Sequence, residues 1–309
     1  MPYDVLVVGR PSCDLIFTGL PKWPEPGRES YASGAFIGAG GAFNAAAAAS
    51  RLGFRVGFIG LIGNDMWSDF VLEQFAAEGV STEFLEVVDR PLPAVSVALN
   101  VNGDRGFVTH EAEPEHTDRE LFAYTTRVLA ATEARHVHLH LVCGLPEIAE
   151  AARRRDMTLT VDAWGWEPWL CSDAVRKLIP TGDVLLTNEP EAQLLTGAAD
   201  TRAALAELSE IAPYVVVKCG AAGSVAAVRG EVFEVPTEAA EAHDATGAGD
   251  CFNAGFMYGW LRRLDPATCL ALGNLCGRRC VESVGGYHGC PPEAELLELA
   301  AAAGIAVAR

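Results

Sequence analysis

The chain has 309 residues, half of them hydrophobic, with 23 basic against 41 acidic side chains and a formal net charge of −18. That length allows a sizeable core in one large α/β domain, and the composition excludes a disordered chain. The acidic balance argues against binding nucleic acid or an anionic membrane through bulk charge, and no apolar run approaches the ~18 residues that span a bilayer.

Tyr3–Gly9 is an apolar run of the kind buried in a parallel sheet, with no basic stretch or cleavage site before it, so a cytoplasmic protein is expected. Residues 10–33 are rich in Pro, Gly and charge and contain Asp14. GAFIGAGGAFN (34–44) then leads into an alanine helix over Ala45–Leu52, stopped by Gly53. A strand at Val56–Ile62 and an amphipathic helix around Val71–Ala77 follow, a βαβ alternation that implies a parallel sheet. The runs Ala94–Val101 and Arg105–His110 flank Asn102-Gly103-Asp104, the strongest short hairpin signal in the chain. It predicts a small antiparallel sheet shared with the 10–33 segment, a subdomain drawn from about 11–34 and 94–110 within one chain-long domain.

The α/β rhythm then resumes. Strands are predicted at Val137–Leu141, Leu159–Asp162, Val184–Thr187 and Val215–Lys218, with helices at Ile148–Arg154 and Arg202–Ile211. Short strands at Val225–Val228 and Val232–Val235 lead to a glycine loop, and a C-terminal helix covers Glu293–Ala303. The nine cysteines (13, 143, 171, 219, 251, 269, 276, 280 and 290) form no C-x-x-C pair and read as reduced thiols.

The chemistry concentrates in Asp244–Phe256, DATGAGDCFNAGF. Gly247, Ala248 and Gly249 lie between the carboxylates Asp244 and Asp250, and Phe252, Gly255, Phe256, Gly259 and Trp260 recur at helical spacing. A helix is therefore predicted to start near Gly249 or Asp250. A glycine turn at a helix N-terminus offers backbone N–H groups and the positive dipole end to an anion. A carboxylate beside it suits phosphoryl transfer; a plain helix cap is the alternative.

Four other clusters fall at strand ends, where an open α/β sheet gathers its ligand residues. Asp14 can accept hydrogen bonds from substrate hydroxyls, or be a solvated surface acid. Gly40 and Asn44, in the AGGAFN run, admit a ligand to the backbone and supply an amide, or cap a helix. Asn188 and Glu191 offer hard oxygens for Mg²⁺, usually held through water, or form a helix start with Pro190 and first-turn acids. Lys218, Gly220 and Gly223 put a cation and a G-x-x-G turn after a strand, beside a nucleotide or in a hairpin. His136, His138 and His140 alternate onto one strand face; a structural role is preferred to metal ligation, because no acidic residue is near in sequence. Neither a P-loop, a dinucleotide fingerprint nor the protein-kinase motif set is present.

In this order the residues resemble the ribokinase-like (PfkB) family of sugar and nucleoside kinases, from Asp14 to Pro291. DATGAGDCF resembles the C-terminal signature, residues 38–69 the N-terminal one, and NEPE and KCGAAG weaker internal motifs. The resemblance implies a three-layer α/β/α fold with a central mainly parallel sheet and a small β-lid, which often forms a dimer contact. It implies ATP- and Mg²⁺-dependent phosphorylation of a primary hydroxyl of a small sugar, with a nucleoside kinase or a catalytically silent sugar-binding regulator as alternatives. Asp250 would be the general base and Gly247, Ala248 and Gly249 the anion hole. Asp14, Gly40 and Asn44 would hold the sugar, Asn188 and Glu191 would organise Mg²⁺, and Lys218, Gly220, Gly223 and Asn274 would line the ATP side. Asp244, Thr246, Cys280, Ser283, Gly285 and Gly289 match the ligands of a monovalent cation such as K⁺. Two departures stand out: Phe43 replaces a small residue, which is expected to reshape the sugar site, and Trp164 and Trp166 follow Asp162 where Asn and Arg are usual in fructokinase-like members.

Overall fold

Strands that are covered on both faces must be apolar throughout, and Tyr3–Val8 (β1) and Val56–Ile62 (β4) meet that condition along almost their whole length. The computed structural model describes residues 2–91, 94–101, 104–111, 114–142, 144–165 and 167–307, with the backbone alone at 104, 105, 114 and 115. Between β1 and β4 come Pro11–Leu20 (β2) and Gly34–Gly41 (β3), and after them Leu85–Val87 (β5), Ala94–Val101 (β6), Asp104–His110 (β7) and Ala134–His140 (β8). Thr158–Asp162 (β9), Val184–Asn188 (β10), Tyr214–Lys218 (β11), Ser224–Val228 (β12) and Glu231–Val235 (β13) complete the strands. The helices are Phe43–Arg51 (α1), Met66–Ala77 (α2), Pro114–Ala131 (α3), Leu145–Arg153 (α4), Glu167–Leu170 (α5) and Asp173–Arg176 (α6). Glu189–Thr196 (α7), Thr201–Ser209 (α8), Ala248–Leu261 (α9), Pro266–Val281 (α10) and Glu293–Ala302 (α11) follow.

The central sheet runs β13-β12-β11-β10-β9-β8-β1-β4-β5. It is parallel from β11 to β5 and antiparallel at β12 and β13. One face is covered by α3, α4, α7 and α8 through Leu121, Ile148, Leu195 and Leu205. The other carries α1, α2, α9, α10 and α11 through Ala46, Phe75, Met257, Leu272 and Leu296. The fold is thus a three-layer α/β/α sandwich. Among the described residues no helix is long and apolar enough to cross a membrane. The described cysteines are free thiols; Cys143 lies outside the described residues.

A second sheet, β3-β2-β6-β7, joins β2 antiparallel to β3 and parallel to β6, with β7 closing as a hairpin on β6. The hairpin pairing from Val95↔His110 to Val101↔Asp104 brackets the predicted Asn102-Gly103 turn, which itself lies outside the described residues. Gly34–Gly41, read from sequence only as an approach to a helix, is a strand of this sheet. Phe43 requires correction: it is fully buried and packs on Phe75 and Tyr287, with ring centroids 4.4 and 5.3 Å away. It fills the core under α1 and does not reshape a sugar pocket.

Strands β8 and β9 carry a polar ladder where an interior sheet normally carries aliphatics. Their register sets His136 opposite Thr158, His138 opposite Thr160 and His140 opposite Asp162. Thr160 Oγ1 lies 2.9 Å from His136 Nε2 and 2.8 Å from His138 Nδ1, and Thr158 Oγ1 lies 2.8 Å from His136 Nδ1. Burial drives the first two imidazoles down to pKa values of about 3, so they are neutral, as a structural role requires.

Candidate active site

Gly247 adopts a left-handed conformation (φ 69°) immediately before α9, and a Cβ there would lie 1.7 Å from the Gly286 carbonyl oxygen. Only glycine satisfies both constraints. No side chain caps this helix start, so its leading N–H groups and positive dipole end face the site. Asp250 stands in the first turn, half-buried. The Asn44 amide donates to Asp250 Oδ2 at 3.4 Å, while Asn44 Oδ1 is buried without a hydrogen-bond partner.

The small sheet sets Asp14 against Gly40, four residues before Asn44. Ser12 Oγ donates to Asp14 Oδ1 at 2.8 Å, and a Cβ at Gly40 would lie 2.0 Å from Asp14 Oδ2, so the absence of a side chain at Gly40 makes room for that carboxylate. Desolvation raises the Asp14 pKa, against the Ser12 hydrogen bond. Asp14, Gly40, Asn44 and Asp250 thus come from β2, β3, α1 and α9.

Below Asp250 lies a set of side chains that the sequence reading did not assemble. Lys218 Nζ donates to Asp162 Oδ1 at 2.9 Å and to Asn253 Oδ1 at 3.2 Å, and the Asn253 amide donates to Asp162 Oδ2 at 2.9 Å. The ammonium also lies 3.4 Å from where a Gly249 Cβ would be, beside the glycine turn. Ligand atoms of His140, Asp162 and Asp250 fall within 4.8 Å of one another. His140 stacks on the exposed Trp164 ring, 5.2 Å between centroids. Trp166 lies outside the described residues.

These neighbours set the electrostatics. Desolvation, then the Asp162 charge, pushes Asp250 up to about 7, against Lys218 and the Asn44 hydrogen bond. Glu191 is likewise raised to about 7 by burial and Asp162. Lys218 is held charged by Asp162 and Glu191 against its own desolvation, and Asp162, against the desolvation that raises it, is lowered by the Lys218 charge.

Asn188 and Glu191 form a reciprocal capping box at α7. Asn188 Oδ1 accepts from the Glu191 N–H and Glu191 Oε2 from the Asn188 N–H, both at 2.9 Å, with Pro190 in the first turn. The helix-start reading of this motif therefore holds, and it leaves Glu191 Oε1 and the Asn188 amide nitrogen for a ligand. The Gly220–Ala222 turn follows β11, and Gly223 (φ 99°) sits against Val235 O, to which the Asn274 amide donates at 3.0 Å. Asn274 is thereby tied to the β13 backbone.

The remaining predicted ligands are also neighbours. Asp244 is buried; its Oδ1 accepts from Thr246 N and Oγ1 at 3.0 and 2.7 Å, and its Oδ2 from Gly285 N at 3.1 Å. The Cys280 thiol donates to Thr246 O, Ser283 N donates to Cys280 O, and Gly289 packs on the Cys280 backbone. Among the described residues no basic side chain pairs with Asp244.

Asp162, Asn253 and His140 are what the sequence reading missed as a group. The available signal was H-V-H-L-H facing T-L-T-V-D on successive strands, and an Asn three residues after Asp250, on the same helix face.

Residues 4–294 match the profile of the pfkB family carbohydrate kinase. A ribokinase of Haemophilus influenzae is 25% identical over 307 residues, covering 96% of this chain and 98% of its own. Two solved structures share the fold: a Burkholderia thailandensis nucleoside kinase in complex with inosine (TM-score 0.82, 20% identity, 97% of each chain) and an Arabidopsis thaliana ribokinase with ribose and ATP (TM-score 0.79, 22% identity, 97% of this chain and 99% of that one).

Proposed function

The chain belongs to the pfkB family of carbohydrate kinases and is an ATP-dependent kinase, and from that premise we propose that it phosphorylates a primary hydroxyl of a small sugar with Asp250 as general base. The observation that carries this reading is the placement of Asp250 beside an uncapped glycine turn, next to an Asn44 carbonyl that lacks a donor. A sugar hydroxyl would supply that donor.

In this mechanism Asp14, the Gly40 backbone and Asn44 orient the sugar. Asp250 takes the proton as the hydroxyl oxygen bonds to the γ-phosphorus and the bond to ADP breaks. The N–H groups of Gly247, Ala248 and Gly249 hold the charge on the transferring phosphoryl, since such transfer asks mainly for positioning and charge stabilisation. The raised proton affinity of Asp250 suits a base working near neutral pH. Mg²⁺ held through water by Glu191 would neutralise phosphate charge: the Glu191 oxygen left over by the capping box can accept from metal-bound water, and the spare Asn188 amide N–H can donate to a phosphate oxygen. Lys218, Gly220, Gly223 and Asn274 border the nucleotide side. K⁺ at Asp244, Thr246 and the carbonyls near Cys280, Ser283, Gly285 and Gly289 would give the buried Asp244 the counter-charge it lacks.

The small sheet serves as the lid and the contact of a homodimer, a reading supported by exposed Ile37 and Val108 on its edge strands. A nucleoside kinase is the second reading, favoured by the exposed Trp164 ring stacked on His140, which offers a planar base an aromatic surface. ADP release across pentoses, hexoses, keto-deoxy sugar acids and nucleosides separates the two. Turnover of a sugar alone supports the first reading and of a nucleoside alone the second. A sugar that raises Tm without turnover would instead identify a silent binder.

A further inference from the structure

Lys218 and Asp162 sit at the ends of β11 and β9, with β10 between them, so the lysine side chain crosses a strand to reach its partner. Their side chains are 12% and 10% exposed, and Asn253, from α9, is wholly buried. Three hydrogen bonds close a ring among these groups, which fixes all three rotamers from three separate elements. The ring uses two of the three ammonium donors and leaves the head of Lys218 beside Gly249 and under Asp250.

We propose that Asp162, Lys218 and Asn253 form a positioning unit that governs proton uptake by Asp250. The inference rests on the reading of Asp250 as the base. The groups facing Asp250 are Asn44 from α1, His140 from β8, Asp162 from β9, Glu191 from α7 and Lys218 from β11. Lys218 is the lasting cation of that set, and burial lowers the His140 pKa. Asp162 makes it harder for Asp250 to ionise, and Lys218 makes it easier. The ring fixes the balance, since neither charge can approach Asp250 without breaking from the other two side chains. Because the two charges act with opposite sign, removing either one alone unbalances Asp250 in its own direction.

That sign difference is the test. Protein carrying aspartate labelled with ¹³C at the side-chain carboxyl is titrated by NMR without substrate, and the Asp250 signal is the one missing from Asp250→Asn. Asp162→Asn is expected to lower the Asp250 midpoint by about one pH unit and Lys218→Met to raise it by a similar amount. Lys218→Arg, which keeps the charge, is expected to stay near the parent. If Asp162→Asn does not fold, Lys218→Met against Lys218→Arg carries the same comparison. Midpoints that stay in place, or that move in the same sense in the Asn and Met variants, overturn the proposal. Turnover of Asp250→Asn on the sugar and nucleoside panel tests the base separately. Retained activity there removes the base reading and leaves the titration result to stand as a charge arrangement only.

Discussion

The two sides of the site differ in how completely their polar groups are satisfied. On the phosphoryl side the side chains are paired within the protein: Asp162 with Lys218 and Asn253, Asn188 with Glu191, Asp244 with Thr246 and Gly285. On the acceptor side Asn44 Oδ1 has no partner, and Asp14 keeps one hydroxyl donor, from Ser12, while burial raises its pKa. The phosphoryl side is therefore organised before any ligand arrives, as electrostatic stabilisation of a developing charge requires. Under the proposed function the acceptor side is left for the substrate to complete, and specificity would belong there.

The sharpest way to break this contrast is to remove the proposed base. Asp250→Asn is expected to cut kcat by ~10³–10⁴-fold with little change in KM, read as ADP release. Gly247→Ala strikes the prebuilt side next. The Cβ collides with Gly286 O in a backbone conformation unsuited to alanine, and a kcat loss of ~10²–10³-fold with a lowered Tm is expected. Asn44→Ala addresses the incomplete side, and steady-state kinetics should show kcat/KM falling about 10–100-fold, mostly through KM.

The smallest effect concerns stability. The folded-state pKa of Asp250, about 7, lies above its ordinary 3.8, so its contribution to stability is present below about pH 4 and is lost as pH rises through 7. Asparagine imitates the protonated form. Asp250→Asn should therefore match the parent near pH 4 and exceed it at pH 8 by ~1–2 kcal/mol, a figure reduced for partial exposure, in denaturant melts. An unchanged gap across that range would mean that Asp250 is not held toward its protonated form.

How far the sequence carries such a structure depends on where each residue's partners lie. Val56–Ile62 was legible because an apolar run is its own signal for a covered strand. The turn at Gly247–Gly249 was legible because its chemistry is local. Pro11–Leu20 was legible only as a segment sharing the small sheet: its Pro, Gly and charge hid the strand's bounds, and its parallel pairing with Ala94–Val101, far along the chain, replaces the expected antiparallel one. Asp162 was noticed only as a strand end, ahead of the departing Trp164 and Trp166. Its meaning comes from Lys218, 56 residues away, and Asn253, 91 residues away, and no periodicity encodes that meeting. The histidine alternation was visible, but the threonines that answer it belong to the next strand.

That alternation bears on how the chain finds its register. Slide β9 by one residue against β8, and Leu159 and Val161 would face the imidazoles while Thr158, Thr160 and Asp162 turned to the opposite, apolar layer. Each polar group stranded in that way costs ~1–3 kcal/mol. Valine and leucine pairs tolerate slippage far better, because one aliphatic neighbour replaces another. The His–Thr ladder therefore acts as a proofreading device for assembly, penalising misalignment at the two strands whose ends deliver His140 and Asp162.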